Sequence, residues 1–492
     1  MQKKRKILMV ASEVVPFAKT GGLADVCGAL PRALDDLGYD VRILMPLYRE
    51  VNLQAHRIRR VGTLQNLSLK LAAEQIPVSF RTAKLQDSDV KVYFLDQPSL
   101  YDRVGLYVDP KTGKDFPDND RRFAVLARAA FALCEKLDWT PDILHCHDWQ
   151  AALIPLMIRD KEYEARFAAT RTVLTIHNLG YQGNFPPESM KWLGDYQPLM
   201  QPMGPMEYYE KLSFLKTGVV FTDKLNAVSP TYAREIQESE EYGYGFEGIL
   251  RRRAADLAGI LNGLDVDIWN PETDVEITAK YGKHTLERKA ENKKALCHRA
   301  GFAFDESIPL FGIISRLADQ KGFDLFAEIH GALAALSMQL ILLGTGEKEY
   351  ETLFRRMAAK NPKKIHAVIG FDAKLAHWIE AGVDCFLMPS RYEPCGLNQM
   401  MSMRYGTVPL VRATGGLADT VVDIDADPEH GTGFTFDDYD AALFLATMRR
   451  AIQTYGNKSR WRKMQERGMS QDFSWTASAK KYGELYEQAL QK

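Results

Sequence analysis

Three groups of residues in this chain could do chemistry. The first is a cation beside a glycine turn. Lys19-Thr20-Gly21-Gly22-Leu23-Ala24-Asp25-Val26 follows the apolar run Ile7–Val10 and leads into a helical pattern. Glycines let backbone approach a ligand closely, and free amides at a helix start favour an anion such as phosphate. The second is a pair of cations, Arg316 and Lys321, at the end of the apolar run Leu310–Ile314. Arg offers a planar donor fork and Lys a point charge, a combination suited to a diphosphate. The third is Glu393-Pro394-Cys395-Gly396-Leu397, where an acid able to hold hydroxyls precedes a turn. Pro394 suits a first helical position, which predicts a helix start there and leaves the Cys395, Gly396 and Leu397 amides for ligand oxygens. Thr414-Gly415-Gly416 is a second glycine turn after an apolar run, also directed at phosphate.

Histidines close two other runs. His145-Cys146-His147-Asp148 ends one. On a strand the two histidines share a face, so a metal pair is conceivable, but no third ligand completes it. The better reading is a wall of a ligand crevice, with Asp148 as a helix N-cap. His177 ends the run Val173–Ile176 and either faces a ligand or caps a loop. The Lys19–Asp25 loop likewise has two readings, anion binding or glycines that serve packing. Leu342-Leu343-Gly344-Thr345-Gly346 imitates a dinucleotide fingerprint, but Glu349 stands where the third glycine belongs.

These residues need elements that place them at one edge. The pattern alternates strand and helix throughout, which implies parallel sheets with helices on both faces. Expected strands are Ile7–Val10, Val41–Met45, Val90–Leu95, Ile143–His145, Val173–Ile176 and Leu225–Val228, then Leu310–Ile314, Gln339–Leu343, Ile365–Ile369, Cys385–Met388 and Val408–Val411. Helices are expected from Leu23, Phe323, Glu347, Ala373 and Pro394, with a last one over Trp475–Leu490. Residues 104–120 and 182–206, rich in Gly and Pro, read as long loops. The expected organisation is an α/β chain of two Rossmann-like domains, 1–262 and 263–470, followed by a C-terminal segment 471–492 that could pack back on the first. In such sheets ligands bind at the carboxyl ends of strands, where the residues above fall.

Bulk composition excludes other classes. Of 492 residues, 46% are hydrophobic and 26% charged, the balance of a globular chain. Lys plus Arg (63) and Asp plus Glu (64) nearly cancel, so no global field points to nucleic acid. Six scattered cysteines form no CxxC pair, no run is long enough for a membrane span, and a cytoplasmic setting is expected. The pattern specifies no oligomeric state.

In order along the chain, KTGGLADV, HCHDWQ, TIHNLGYQG, ILNGLD, SRLADQKG, PSRYEPCGL and TGGLADT resemble the bacterial glycogen synthases and plant starch synthases. The resemblance runs from residue 7 to about 435. It implies a GT-B architecture, two Rossmann-like domains facing each other across a deep cleft. It also implies retaining transfer of glucose from ADP-glucose to the non-reducing end of an α-1,4-glucan, with no cofactor and no metal. By the matching motifs, the resemblance makes His177, Arg316, Lys321 and Glu393 catalytic. It gives Lys19, Gly22, Asp25, Asp148, Asn262, Phe371, Cys395, Gly396, Leu397, Thr414, Gly415 and Gly416 to donor binding, with Phe371 against adenine. Wider retaining transferases carry a second glutamate eight positions after the first; here that position is Met401. A related transferase using UDP-glucose or a different acceptor is the alternative.

Overall fold

The computed structural model describes residues 4–492. They form two compact units: one of residues up to Val228, Ala233–Gly263 and Trp475–Lys492, the other of Ser229–Tyr232 and Leu264–Ser474.

The first unit is built on a sheet of ten strands among the described residues. Eight of them matter here: β1 (Lys6–Val10), β2 (Asp40–Pro46), β3 (Glu74–Lys84), β4 (Lys91–Asp96), β5 (Ile143–His147), β6 (Arg171–Ile176), β7 (Lys224–Ala227) and β8 (Leu257–Gly259). Their order is β8-β7-β6-β5-β1-β2-β4-β3, with all pairs parallel except β3 on β4. Central strands such as Ile7–Val10 are buried on both faces, hence their unbroken apolar runs. Strand order reverses at β1, so the loop after it opens at the switch point. Helices α1 (Gly22–Asp36), α2 (Asn119–Lys136) and α3 (Asp148–Ala151) follow β1, precede β5 and follow β5.

The second unit has six parallel strands: β9 (Leu310–Leu317), β10 (Gln339–Gly346), β11 (Ile365–Ile369), β12 (Cys385–Met388), β13 (Val408–Arg412) and β14 (Phe434–Phe436). Their order, β11-β10-β9-β12-β13-β14, is the doubly wound one, with its switch point between β9 and β12. Its helices include α4 (Lys289–Ala300), α5 (Phe323–Leu333), α6 (Ala373–Gly382), α7 (Asn398–Arg404) and α8 (Gly415–Thr420). The last helix, α9 (Trp475–Leu490), belongs to the first unit, where it packs on α1 and buries Ala479, Tyr482, Leu485 and Tyr486.

Three local expectations are corrected. The helix expected at Pro394 starts at Asn398. Gly396, at φ 71°, turns the chain through the left-handed region, through which a helix begun at Pro394 could not continue, so residues 389–397 remain an irregular loop. The segments expected as loops at 104–120 and 182–206 contain short paired strands: Val108–Asp109 with Lys114–Asp115, and Asn184–Phe185 with Lys211–Ser213. Finally, the antiparallel strand β3 lies outside the expected set: on one face it buries only Ile76, Val78 and Phe80, and Pro77 interrupts the run between them.

The Gly344-Thr345-Gly346 stretch, which ends β10 beside Ser315–Leu317, owes its glycines to packing. A Cβ on Gly344 would lie 2.1 Å from the Ser315 carbonyl oxygen, whereas one on Gly22 would meet nothing within 4 Å. We expect Gly344→Ala to destabilise the chain by about 2 kcal/mol or more. Gly22→Ala should leave stability within about 1 kcal/mol of the parent. Denaturant unfolding of both variants checks the contrast, and equal losses would refute it.

Candidate active site

In the first unit the candidate residues stand at the carboxyl edge of the parallel strands. The loop after β1 is organised by Glu13, which is buried just past the strand. Its carboxylate accepts from the Thr20 amide, from Thr20 Oγ1 at 2.6 Å, from the Gly21 amide at 3.2 Å and from the Tyr107 hydroxyl at 2.7 Å. One buried acid thus holds the glycine turn in place. Lys19 Nζ lies 2.7 Å from Asp25 Oδ1, an exposed pair that an incoming anion can open at little cost. Gly21 and Gly22 have no neighbours at their Cβ positions and no left-handed φ. Neither packing nor backbone strain requires glycine at these two positions.

The ends of β5 and β6 meet beside this loop's strand. Asp148 does not cap its own helix, as the sequence suggests. Its Oδ1 accepts the His177 amide at 2.6 Å, and the Asn178 amide also bonds this carboxyl. The reason is its backbone: Asp148 sits at φ 53°, which turns the side chain back toward β6. Burial raises its carboxyl to about 8, against the lowering by those two amides. His177 is buried and bonds His147 Nδ1 through its Nε2 at 3.0 Å. Burial keeps both imidazoles neutral, lowering His177 to about 3. Asn262, after β8, is buried and its Oδ1 has no partner among the described residues. An unpaired buried acceptor of this kind calls for a donor from outside the chain.

In the second unit, Arg316 ends β9 and Lys321 stands in the turn after it. Lys321 Nζ bonds Glu393 Oε2 at 2.6 Å, and Ser390 Oγ donates to the same oxygen at 3.0 Å. The turn can press this close because Gly322 lies at φ 77°; a Cβ there would stand 2.0 Å from the Pro389 carbonyl oxygen. Arg316 is exposed, with only a 3.5 Å contact to Gln320. Arg316, Lys321, Met388, Pro389, Ser390 and Asn398 line a cavity of about 140 Å³ at the switch point. The Gln399 amide donates to the Cys395 and Gly396 carbonyls at 3.1 Å each, fixing that turn. Leu397 is the residue before α7. Thr414 and Gly415 begin α8, but the Gly416 amide bonds the Glu393 carbonyl at 3.1 Å, so it is turned inward rather than toward a phosphate. Phe371, after β11, is 92% exposed, an unusual state for a phenyl ring and one that leaves its face open to stacking.

The comparisons agree with this geometry. Residues 6–252 match the family of starch synthase catalytic domains, and residues 298–468 match glycosyl transferases group 1. A glycogen synthase of Syntrophotalea carbinolica is 45% identical over 99% of both chains. The chain belongs to the glycogen and starch synthase family. Glycogen synthase 1 of Methylococcus capsulatus is 46% identical, over 99% of this chain and 97% of that one. The catalytic domain of starch synthase IV from Arabidopsis thaliana, solved with ADP and acarbose, has a TM-score of 0.90 at 32% identity over the whole of both chains. A sucrose-phosphate synthase from Thermosynechococcus elongatus, with a TM-score of 0.59 at 18% identity over 99% of both chains, shares the fold. The fold is thus of GT-B type, with parallel sheets in two domains, and the synthase is a glycosyltransferase. Among its described residues no helix is long and apolar enough to cross a membrane.

The sequence missed several parts of this synthase site. Glu13 and Tyr107 hold the first glycine loop, and Ser390 and Gln399 brace the second unit's loops. An acid directly after a buried strand is the one signal that would have found Glu13. Burial raises the Asp148 carboxyl from its ordinary 3.8 to about 8. The native state therefore binds its proton more tightly than the unfolded chain does. Stability from this group is present below about pH 4 and is lost as pH rises toward 8. We expect Asp148→Asn to reduce the fall in unfolding free energy between pH 5 and 8 by on the order of 4 kcal/mol. Parallel pH profiles of unfolding for the parent and variant would overturn the assignment.

Proposed function

We propose that this synthase transfers glucose from ADP-glucose to the non-reducing end of an α-1,4-glucan, glycogen or a maltooligosaccharide, with retention of configuration. The observation that carries the reading is the Lys321–Glu393 pair with Arg316 beside it, at the switch point of a doubly wound sheet. The starch synthase relative solved with ADP and acarbose supports both substrates. In this reading Arg316 and Lys321 take the diphosphate, and Glu393 accepts hydroxyls of the glucose. Lys19 and Gly22 contact donor phosphate and Asp25 lies near the sugar. Asp148, His177 and Asn262 serve the transferred glucose. Phe371 stacks on adenine, and the turns at Cys395–Leu397 and Thr414–Gly415 add contacts. Gly416 acts by holding Glu393 in place. The enzyme works in the cytoplasm.

As the bond to the anomeric carbon breaks, charge develops on the departing ADP and is stabilised by Arg316 and Lys321. The sugar passes through an oxocarbenium-like state. A double displacement needs a carboxylate nucleophile, and the position of the wider pattern's second glutamate is Met401. His177 is neutral at physiological pH and is not a strong base there. We therefore assign a same-face attack in which a donor phosphate oxygen takes the proton of the acceptor hydroxyl.

Nucleotide release in the presence of glycogen, compared for ADP-glucose and UDP-glucose, tests the reading. We expect glycogen-dependent turnover with a clear preference for ADP-glucose. Preference for UDP-glucose would keep the transferase and overturn the donor. Arg316→Ala and Lys321→Ala should each lower kcat on the order of a hundredfold or more with the fold intact. Full activity in either would remove that residue from the site.

A further inference from the structure

The histidines behind His177 form a tier that the proposed reaction does not use. His145 and His147 share one face of β5, and their rings lie 4.2 Å apart. His145 is held at both nitrogens, by the Tyr486 hydroxyl of α9 and by Thr175 Oγ1 of β6, each at 2.8 Å. Asn226 of β7 ties Thr175 to Tyr482, also on α9. His145 therefore cannot pivot, and the ring of His147 stands against it. His147 is fully buried; its Nδ1 meets His177 Nε2 at 3.0 Å, and its Nε2 has no partner among the described residues. Among those residues His177 Nδ1 makes no hydrogen bond, and it is not one of the buried unpaired atoms.

Burial holds both rings neutral, so a single proton lies between His147 and His177. If His177 donated it, His147 would carry a buried Nε2–H with no acceptor. A buried N–H left without an acceptor is among the rarest defects in folded proteins. If His147 donates, only a nitrogen lone pair is left unpaired.

We infer that His147 is a positioning residue that donates Nδ1–H to His177 Nε2 and so fixes His177 as the Nδ1–H tautomer, presenting an N–H donor to a sugar hydroxyl. The inference rests on the proposed placement of His177 at the transferred glucose. The tier behind it, His145 and Tyr486, makes the C-terminal helix a brace for this orientation.

Two measurements test it. In the full chain labelled with 15N-histidine and free of substrate, long-range proton–nitrogen correlation reads the tautomer of His177. We expect a proton on Nδ1 and a bare Nε2; a proton on Nε2 overturns the inference whatever the chain transfers. In turnover with ADP-glucose and glycogen, His147→Phe should lower kcat about tenfold or more while the KM for ADP-glucose moves less than about threefold. His147→Asn, whose amide nitrogen can stand near the place of Nδ1, should recover most of that loss. Unchanged kcat in a folded His147→Phe variant, or no recovery in His147→Asn, would also overturn it. If the parent turned over no donor, the proposed function would fall, while the tautomer measurement would still decide the inference.

Discussion

The second unit's site depends on one residue used twice. The side chain of Glu393 binds Lys321 and Ser390, and its carbonyl accepts the Gly416 amide. Three loops, after β9, β12 and β13, therefore converge on a single position. A buried carboxylate costs several kcal/mol unless it is paired and hydrogen-bonded. Here the cation that lowers that cost, Lys321, is also the one proposed to meet the diphosphate. Removing Lys321 would leave the acid without its cation and loosen the turn that follows β9. Site geometry and local stability are thus the same set of contacts.

The first unit solves the same problem with acceptors. Glu13 and Asp148 each collect amides from a neighbouring segment rather than from a helix of their own. Each lies at the carboxyl end of a parallel strand, where backbone N–H groups would otherwise be buried unpaired. Glu13 fixes the glycine turn at the switch point, and Asp148 fixes the backbone of His177. The unusual φ of Asp148 is the local strain that lets a residue following β5 serve the end of β6.

Much of this was legible in the sequence, for identifiable reasons. A strand such as Cys385–Met388 is buried along almost its whole length, so a continuous apolar run bounded by turn residues marks it residue for residue. The site residues follow from the rule that ligands bind past the carboxyl ends of such strands. What failed was local chemistry with two solutions. Pro394 is compatible with a helix start, but Gly396 two residues later adopts a left-handed turn through which a helix begun there cannot continue. Asp148 has the type of an N-cap, but its partner lies across the sheet, which spacing along the chain cannot reveal. Gly416 reads as a phosphate turn, while its amide is used inside the protein. Glu13, Tyr107 and the histidine tier became visible only through contacts between residues far apart in sequence; Tyr486 and His145 are separated by 341 positions.

The two units differ in how they handle charge. Around His177, burial favours neutral forms: the imidazoles lose their protons and the Asp148 carboxyl tends to keep its own. Around Lys321 the cations and the acid are instead paired with each other or exposed. Under the proposed reaction this division fits the substrate. A departing diphosphate needs fixed cations, whose attraction grows as the bond breaks. On the His177 side the sugar meets a neutral donor in a set tautomer, while Glu393, paired with Lys321, offers its hydroxyls an acceptor. An oxocarbenium-like centre would also be destabilised by an imidazolium, so a histidine at that wall must be held neutral. The depth of burial of β5 and β6 supplies that condition, and helix α9, by covering their face, maintains it.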